Sequence, residues 1–154
     1  MTGQTVLEQY QKLEKIGEGT YGKVYKARDN LTGELVALKK TRLEVEEEGV
    51  PATALREVAL LQLLSKSRYV VRLLSVEHVH EVKKPILYLV FEYCDTDLKK
   101  YIDKRNHLKA LPTSVVQSFL YQMLQAVAYM HSHGVMHRDL KPQNILVNEK
   151  EGLC

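Results

Sequence analysis

The chain has 154 residues, enough for one domain or a piece of a larger one, and at 45% hydrophobic and 27% charged residues it excludes a disordered, collagen-like or coiled-coil polypeptide. Its longest apolar run, Ile86 to Phe91, is far below the roughly 20 residues that cross a bilayer, and a net charge of +3 spread over scattered Lys and Arg offers no polyanion-binding face, so neither membrane nor nucleic acid is expected as a partner. Two cysteines, Cys94 and Cys154, and a start at Met1-Thr2-Gly3-Gln4 without a leader or myristoylation signal are expected of an intracellular, reduced chain.

In chain order, Tyr10 to Ile16 predicts a first strand and the alternation of Lys23 to Arg28 a second. Asn30-Leu31-Thr32-Gly33 supplies turn chemistry, and Glu34 to Lys40 reads as a third strand, closing a hairpin. The acidic run Glu44 to Glu48 reads as a solvated connection. Pro51 suits a first helical turn, and Ala52 to Leu64 contains no Gly, so a helix follows. Glu57, Leu61 and Leu64 share one face of it, which places a carboxylate on the apolar side in need of a partner. Val70 to Val79 and Pro85 to Phe91 add two strands. Further on, Thr113 or Ser114 is expected to cap a helix with Val116, Leu120, Met123, Leu124 and Val127 on one stripe and Gly134 as its terminator. A polar loop and a short strand, Ile145-Leu146-Val147, come next, and Asn148 to Cys154 resembles the start of a strand hairpin. The pairs His78/His80 and His131/His133 have no cysteine or carboxylate at zinc-like spacing to complete a ligand set.

Three motifs carry chemistry. Gly17-Glu18-Gly19-Thr20-Tyr21-Gly22-Lys23-Val24 fits G-x-G-x-x-G-x-V, whose glycines let backbone amides approach phosphate oxygens. The rival dinucleotide-binding turn needs a helix directly after the glycines, whereas Lys23 to Arg28 alternates; a plain glycine-rich turn stays open. In Val36-Ala37-Leu38-Lys39, Ala37 and Lys39 fall on one strand face, so Lys39 is either a solvated lysine or the partner of Glu57, aimed at phosphates. The strongest signal is His137-Arg138-Asp139-Leu140-Lys141-Pro142-Gln143-Asn144, an H-R-D-L-x-x-x-N frame between a helix and a strand. Asp139 supplies a carboxylate to accept a hydroxyl proton and Asn144 an amide oxygen to hold magnesium.

Together these segments resemble a eukaryotic protein kinase and, more narrowly, a cyclin-dependent kinase. The narrower likeness rests on Pro51-Ala52-Thr53-Ala54-Leu55-Arg56-Glu57, similar to the family's cyclin-contacting P-S-T-A-I-R-E helix with Ala52 and Leu55 as departures that look like the plant mitotic branch. Leu87 to Tyr93 and Asp95 to Lys100 add to it, and the resemblance covers about Tyr10 to Val147. It implies an α+β fold: a small lobe over residues 1–93, with a five-stranded antiparallel sheet and one regulatory helix, and from residue 94 to 154 a hinge, first helices and catalytic loop of an incomplete helical lobe. It implies ATP and Mg2+ as cofactors, with Val24 and Ala37 sandwiching the adenine against Leu146, Phe91 behind it, and Glu92 and Cys94 offering backbone groups. Ile16, Gly17, Gly19, Gly22, Lys39 and Gln143 also join the nucleotide contacts, Asp97 the ribose and substrate rim, and Asn144 the metal. Asp139, Lys141, Lys39 and Glu57 form the catalytic group, with Lys141 assisting the transferred phosphate. Thr20 and Tyr21 match paired inhibitory phosphorylation sites, where phosphate would repel that of ATP. Expected partners are a cyclin, through Pro51 to Glu57, and protein substrates phosphorylated on Ser or Thr, in nucleus and cytoplasm during cell-cycle control.

The family also needs a metal-binding Asp in a D-F-G-like element, an activation loop and a substrate-binding lobe, and Asp139 is the last aspartate here. The expectation is that these 154 residues alone transfer phosphate poorly and that the apolar stripe of the Thr113 to Met130 helix lacks packing partners. The alternative to an incomplete kinase is a catalytically dead short form that binds cyclin or ATP.

Overall fold

The computed structural model describes residues 6–19, 22–42, 52–81, 84–106, 110–149 and 152–153. The chain forms two units, Met1–Leu63 with Leu73–Tyr93, and Leu64–Arg72 with Cys94–Cys154.

In the first unit a short helix α1 (Val6–Gln9) leads into β1 (Tyr10–Gly19), β2 (Gly22–Asp29), β3 (Leu35–Arg42), helix α2 (Ala52–Leu64), β4 (Leu73–Glu81) and β5 (Lys84–Glu92). The five strands are antiparallel in the order β1-β2-β3-β5-β4. The β2–β3 turn is made by the residues its composition advertises: Asp29 Oδ1 accepts the Leu31 N–H at 2.8 Å, and Gly33 takes a φ of +76° while donating to the Asp29 carbonyl at 2.7 Å. β4 begins later than the apolar run from Val70 suggests. The residues after α2 fold into turns first, with the Ser67 N–H on the Leu64 carbonyl at 3.0 Å and the Val70 N–H on the Ser67 carbonyl at 3.3 Å, so their backbone bonds are already used.

Strand alternation sorts the sheet into two faces. One buries Tyr10, Ala27, Val36, Leu38, Ile86, Tyr88 and Val90. Lys12 lies across this face, its Nζ 5.0 Å from the Tyr88 ring centre and donating to the Tyr88 hydroxyl at 3.2 Å, so the aliphatic stem covers apolar surface while the ammonium meets aromatic rings. The other face holds Leu87 and Leu89 with Leu73, and packs against Ala54, Val58 and Leu61 of α2. Those three helical positions lie four and three apart, one stripe of an α-helix; each aliphatic side chain fully withdrawn from water here contributes roughly 1.5–3 kcal/mol.

The second unit contains β6 (Thr96–Asp97), α3 (Leu98–Asn106), α4 (Thr113–Ser132), a 3-10 turn (Pro142–Asn144), β7 (Leu146–Asn148) and β8 (Gly152–Leu153). Its small sheet runs β6-β7-β8, and its core is Tyr101, Ile145, Val147 and Leu153 with Leu98, Leu111, Phe119 and Met123. One expectation is corrected here. Neither Thr113 nor Ser114 caps α4: Pro112 holds the cap position without a side-chain bond, and its carbonyl takes the Val115 N–H at 3.0 Å. Met123 of the expected stripe faces inward beside Phe119, and Met130 is buried, whereas Val116, Leu120 and Leu124 are 47%, 52% and 58% exposed, as expected of a stripe without packing partners. α4 is apolar on two sides, so hydrophobic period alone does not choose the packed one. Gly134 ends α4 as expected: at φ +72° it donates to the His131 carbonyl at 3.0 Å while Val135 reaches back to Met130 at 3.0 Å, the paired bonds of a Schellman stop.

Candidate functional site

In the first unit the glycine-rich segment is the β1–β2 hairpin, paired down to Gly19 opposite Gly22, and β2 follows where a dinucleotide-binding turn requires a helix. Thr20 and Tyr21 lie outside the described residues. Gly22 is required by the fold itself: at φ +140°, a Cβ would sit 2.1 Å from the Lys40 carbonyl oxygen of β3, so only a residue without one allows β2 and β3 to pair there. Gly17, by contrast, would place a Cβ in ordinary contact with Val24 at 3.7 Å. Ile16 is skipped by the register between Lys15 and Gly17, a bulge that leaves its side chain 37% exposed beside the hairpin. Glu18 stands between two lysines, 2.7 Å from Lys15 and 3.8 Å from Lys23; the hydrogen bond from Lys15 holds the Glu18 carboxyl below its usual range and raises the lysine in return.

Val24 pairs with Lys39, and Ala37 with Phe91, so Val24, Ala37, Lys39 and Phe91 share the sheet face on which α2 packs. This shared face is why Lys39 and Glu57, 18 positions apart, meet at 3.3 Å. The pairing is as expected, but its burial is not: the Glu57 side chain is 51% exposed against 25% for Lys39, because Ala54, Val58 and Leu61 fill the contact stripe and turn Glu57 to its edge. Glu92 closes β5 opposite Val36. Pro51, at the start of the expected cyclin-contacting segment, lies outside the described residues; within the segment Leu55 is 57% exposed.

In the second unit Leu146 and Asp97 are direct partners across β6 and β7, and the ladder continues with the Leu98 N–H on the Ile145 carbonyl at 2.8 Å. Asp97 has a second task that its motif does not announce: its Oδ1 accepts the Lys100 N–H at 2.9 Å, capping α3, and its Oδ2 lies 3.3 Å from the Lys100 ammonium. An aspartate directly ahead of the Leu98–Asn106 helix was a readable cap signal.

The loop after α4 gathers Asp139, Lys141 and Asn144. The Asp139 carboxylate accepts from the Lys141 ammonium at 3.0 Å and the Asn144 amide at 3.0 Å, and the same amide nitrogen donates to the Asp139 carbonyl at 2.9 Å. The Lys141 hydrogen bond is the main cause holding the Asp139 carboxyl below the usual aspartate range. Two acceptors on Asp139 fix which end of the Asn144 side chain is nitrogen, so the amide oxygen is the end turned away from Asp139, a ligand type that suits magnesium. Backbone shape helps: Arg138 occupies φ +64°, and the Asp139 N–H donates to His137 Nδ1 at 3.2 Å. Gln143, in the 3-10 turn, is exposed. Cys94 stands where the second unit resumes after β5.

Among the described residues no helix is long and apolar enough to cross a membrane. The protein kinase domain family matches residues 10–153, and the chain belongs to that family. Within it the similarity is to cyclin-dependent kinases of plants. The chain is 64% identical over 152 residues to the cell division control protein 2 homolog C of Antirrhinum majus, covering 96% of this chain and 50% of that protein. It is 61% identical over 155 residues to cyclin-dependent kinase B1-1 of Arabidopsis thaliana, covering 94% and 50%, and 56% identical over 146 residues to cyclin-dependent kinase B2-1 of Oryza sativa subsp. japonica, covering 94% and 45%. The chain spans about half the length of these relatives.

Proposed function

We propose that this chain carries the nucleotide-binding and catalytic-loop half of a cyclin-dependent serine/threonine kinase, which transfers phosphate from ATP to protein hydroxyls in cell-cycle control. The observation that carries the reading is the Asp139–Lys141–Asn144 cluster, built on one loop with each member held by the others. Asp139, kept ionised by Lys141, accepts the hydrogen bond of a substrate Ser or Thr hydroxyl at about 3 Å and receives its proton as the oxygen attacks. Lys141 is close enough to Asp139 to bring positive charge to the same hydroxyl and the phosphoryl group moving toward it. Lys39, steered by Glu57, is the first unit's cation for phosphate oxygens, and Val24, Ala37 and Phe91 form the apolar wall beside it. Magnesium, when bound, neutralises phosphate charge, and Asn144 is the residue of this chain suited to hold it.

Cyclin is the proposed partner of the Pro51 to Glu57 segment, whose Leu55 is exposed for contact. Because Asp139 is the last aspartate, the 154 residues alone supply no second carboxylate for metal in the D-F-G manner, and weak transfer is the expected behaviour of this polypeptide by itself.

Calorimetric titration of the purified chain with magnesium and a non-hydrolysable ATP analogue tests the nucleotide site, and transfer of labelled phosphate to a Ser/Thr peptide tests the chemistry. Binding that Lys39→Met weakens supports the reading, absence of binding refutes it, and efficient transfer by the 154 residues alone refutes the dependence on a further aspartate.

A further inference from the structure

The small sheet of the second unit is short for the work assigned to it. β6 has 2 residues and β8 has 2, while β7 between them carries Leu146 directly after Asn144 and Ile145. Two-residue strands hold register weakly, and a slip by one residue would turn Leu146 to the opposite face.

Side chains extend the ladder at both edges. On one side the Asp95 carboxylate accepts the Glu149 N–H at 3.0 Å, a bond spanning 54 positions. β6 pairs Thr96 with Val147 and Asp97 with Leu146, so Asp95 stands one step beyond the last backbone pair and its side chain supplies the next rung. Lys104 of α3 adds a contact to the Glu149 carboxylate at 3.6 Å. On the other side Gln122 of α4 accepts the Leu153 N–H through Oε1 at 2.8 Å.

We propose that Asp95 is a positioning residue for the nucleotide site: by holding the Glu149 amide it fixes the register of β7, and with it Leu146 opposite Asp97 and the attachment of the loop that carries Asn144. Asp95 acts through the backbone of β7 and touches none of the reacting groups. The inference rests on the nucleotide reading above, and it assigns a specific, long-range task to the aspartate that opens the Asp95 to Lys100 run.

The test compares Asp95→Ala, which removes the acceptor, with Asp95→Asn, which keeps an oxygen in place. Two quantities are read on the full chain: hydrogen exchange at the Glu149 and β7–β8 amides, and the dissociation constant for the magnesium complex of a non-hydrolysable ATP analogue. Loss of one hydrogen bond corresponds to roughly a three- to tenfold change in an opening equilibrium. The expected result is faster exchange at Glu149 by about that factor in Asp95→Ala, with weaker nucleotide binding, and both restored toward wild type in Asp95→Asn. Unchanged exchange in Asp95→Ala, or faster exchange with unchanged binding, overturns the positioning role. Equal defects in both variants overturn it as well, since the negative charge and not the acceptor would then be what matters. A wild-type chain that binds no nucleotide refutes the underlying reading instead, and is recognised before any variant is measured.

Discussion

Replacing Gly22 by alanine separates two reasons for a glycine in a phosphate-binding hairpin. One is close approach of a ligand; the other is internal, since the added Cβ would lie 2.1 Å from the Lys40 oxygen, 3.1 Å from its carbonyl carbon and 3.4 Å from the Thr41 Cα. All three atoms are backbone of β3, so no side chain can rotate aside. An L-residue at φ +140° costs about 1–3 kcal/mol in conformation alone, and parting β2 from β3 at the Lys23–Lys40 pair loses about one further hydrogen bond, near 1 kcal/mol. The expected destabilisation is therefore about 2–4 kcal/mol, or a fall in midpoint of roughly 5–15 °C for a chain of this size. Gly33→Ala is the internal control: its φ of +76° is also left-handed, but a Cβ there meets nothing within 4 Å, so only the left-handed penalty of about 1–2 kcal/mol applies. Thermal and urea unfolding of both variants without nucleotide decides the matter. If Gly22→Ala is no more destabilising than Gly33→Ala, the steric reasoning is wrong and the third glycine is there for the ligand.

Lys39→Met should barely change stability, because a pair with side chains 25% and 51% exposed is worth about 0–1 kcal/mol, yet lower phosphoryl transfer by about a hundredfold or more in a longer, cyclin-bound protein containing this chain; transfer near the wild-type rate removes Lys39 from the machinery. Asp139→Asn keeps an oxygen acceptor for Asn144 but loses the charge and the proton acceptor, so folding stays intact while transfer in the same assay falls by about a hundredfold or more; a purely structural Asp139 gives lost stability with undiminished transfer per folded molecule. Lys141→Met should move the Asp139 titration, followed by carboxyl carbon NMR, upward toward the ordinary aspartate value near 3.9. The sign follows from the lowered native value: the Lys141–Asp139 interaction is fully present above the ordinary value and is lost as pH falls through the lowered one, and an unmoved titration in Lys141→Met would show that Lys141 is not its cause.

The sequence by itself determined the elements whose signals are local. Alternating residues made β2 and β3, Gly33 and Gly134 closed their turn and helix through positive φ, and the spacing of His137 to Asn144 put an aspartate, a lysine and an asparagine on one loop. The family was legible for the same reason, since each of its motifs is a short run with a fixed spacing. What tertiary structure decided concerns choices between sides and partners. α4 is apolar on two faces, and only packing against Tyr101, Val147 and Leu153 selected the face of Phe119 and Met123. Glu57 was expected on the buried side of α2, but Ala54, Val58 and Leu61 occupy that stripe, so it reaches Lys39 from the rim. Gly22 looks like a ligand-facing glycine until the Lys40 carbonyl of the neighbouring strand is placed against it. Asp95 opened a family-like run and Gln122 stood in none, yet neither announced its bond, because a hydrogen bond across 54 or 31 positions depends on where the backbone returns. Local chemistry is written in consecutive residues, whereas which face is buried and which distant amide is in reach are set by the competition of all surfaces for the same core.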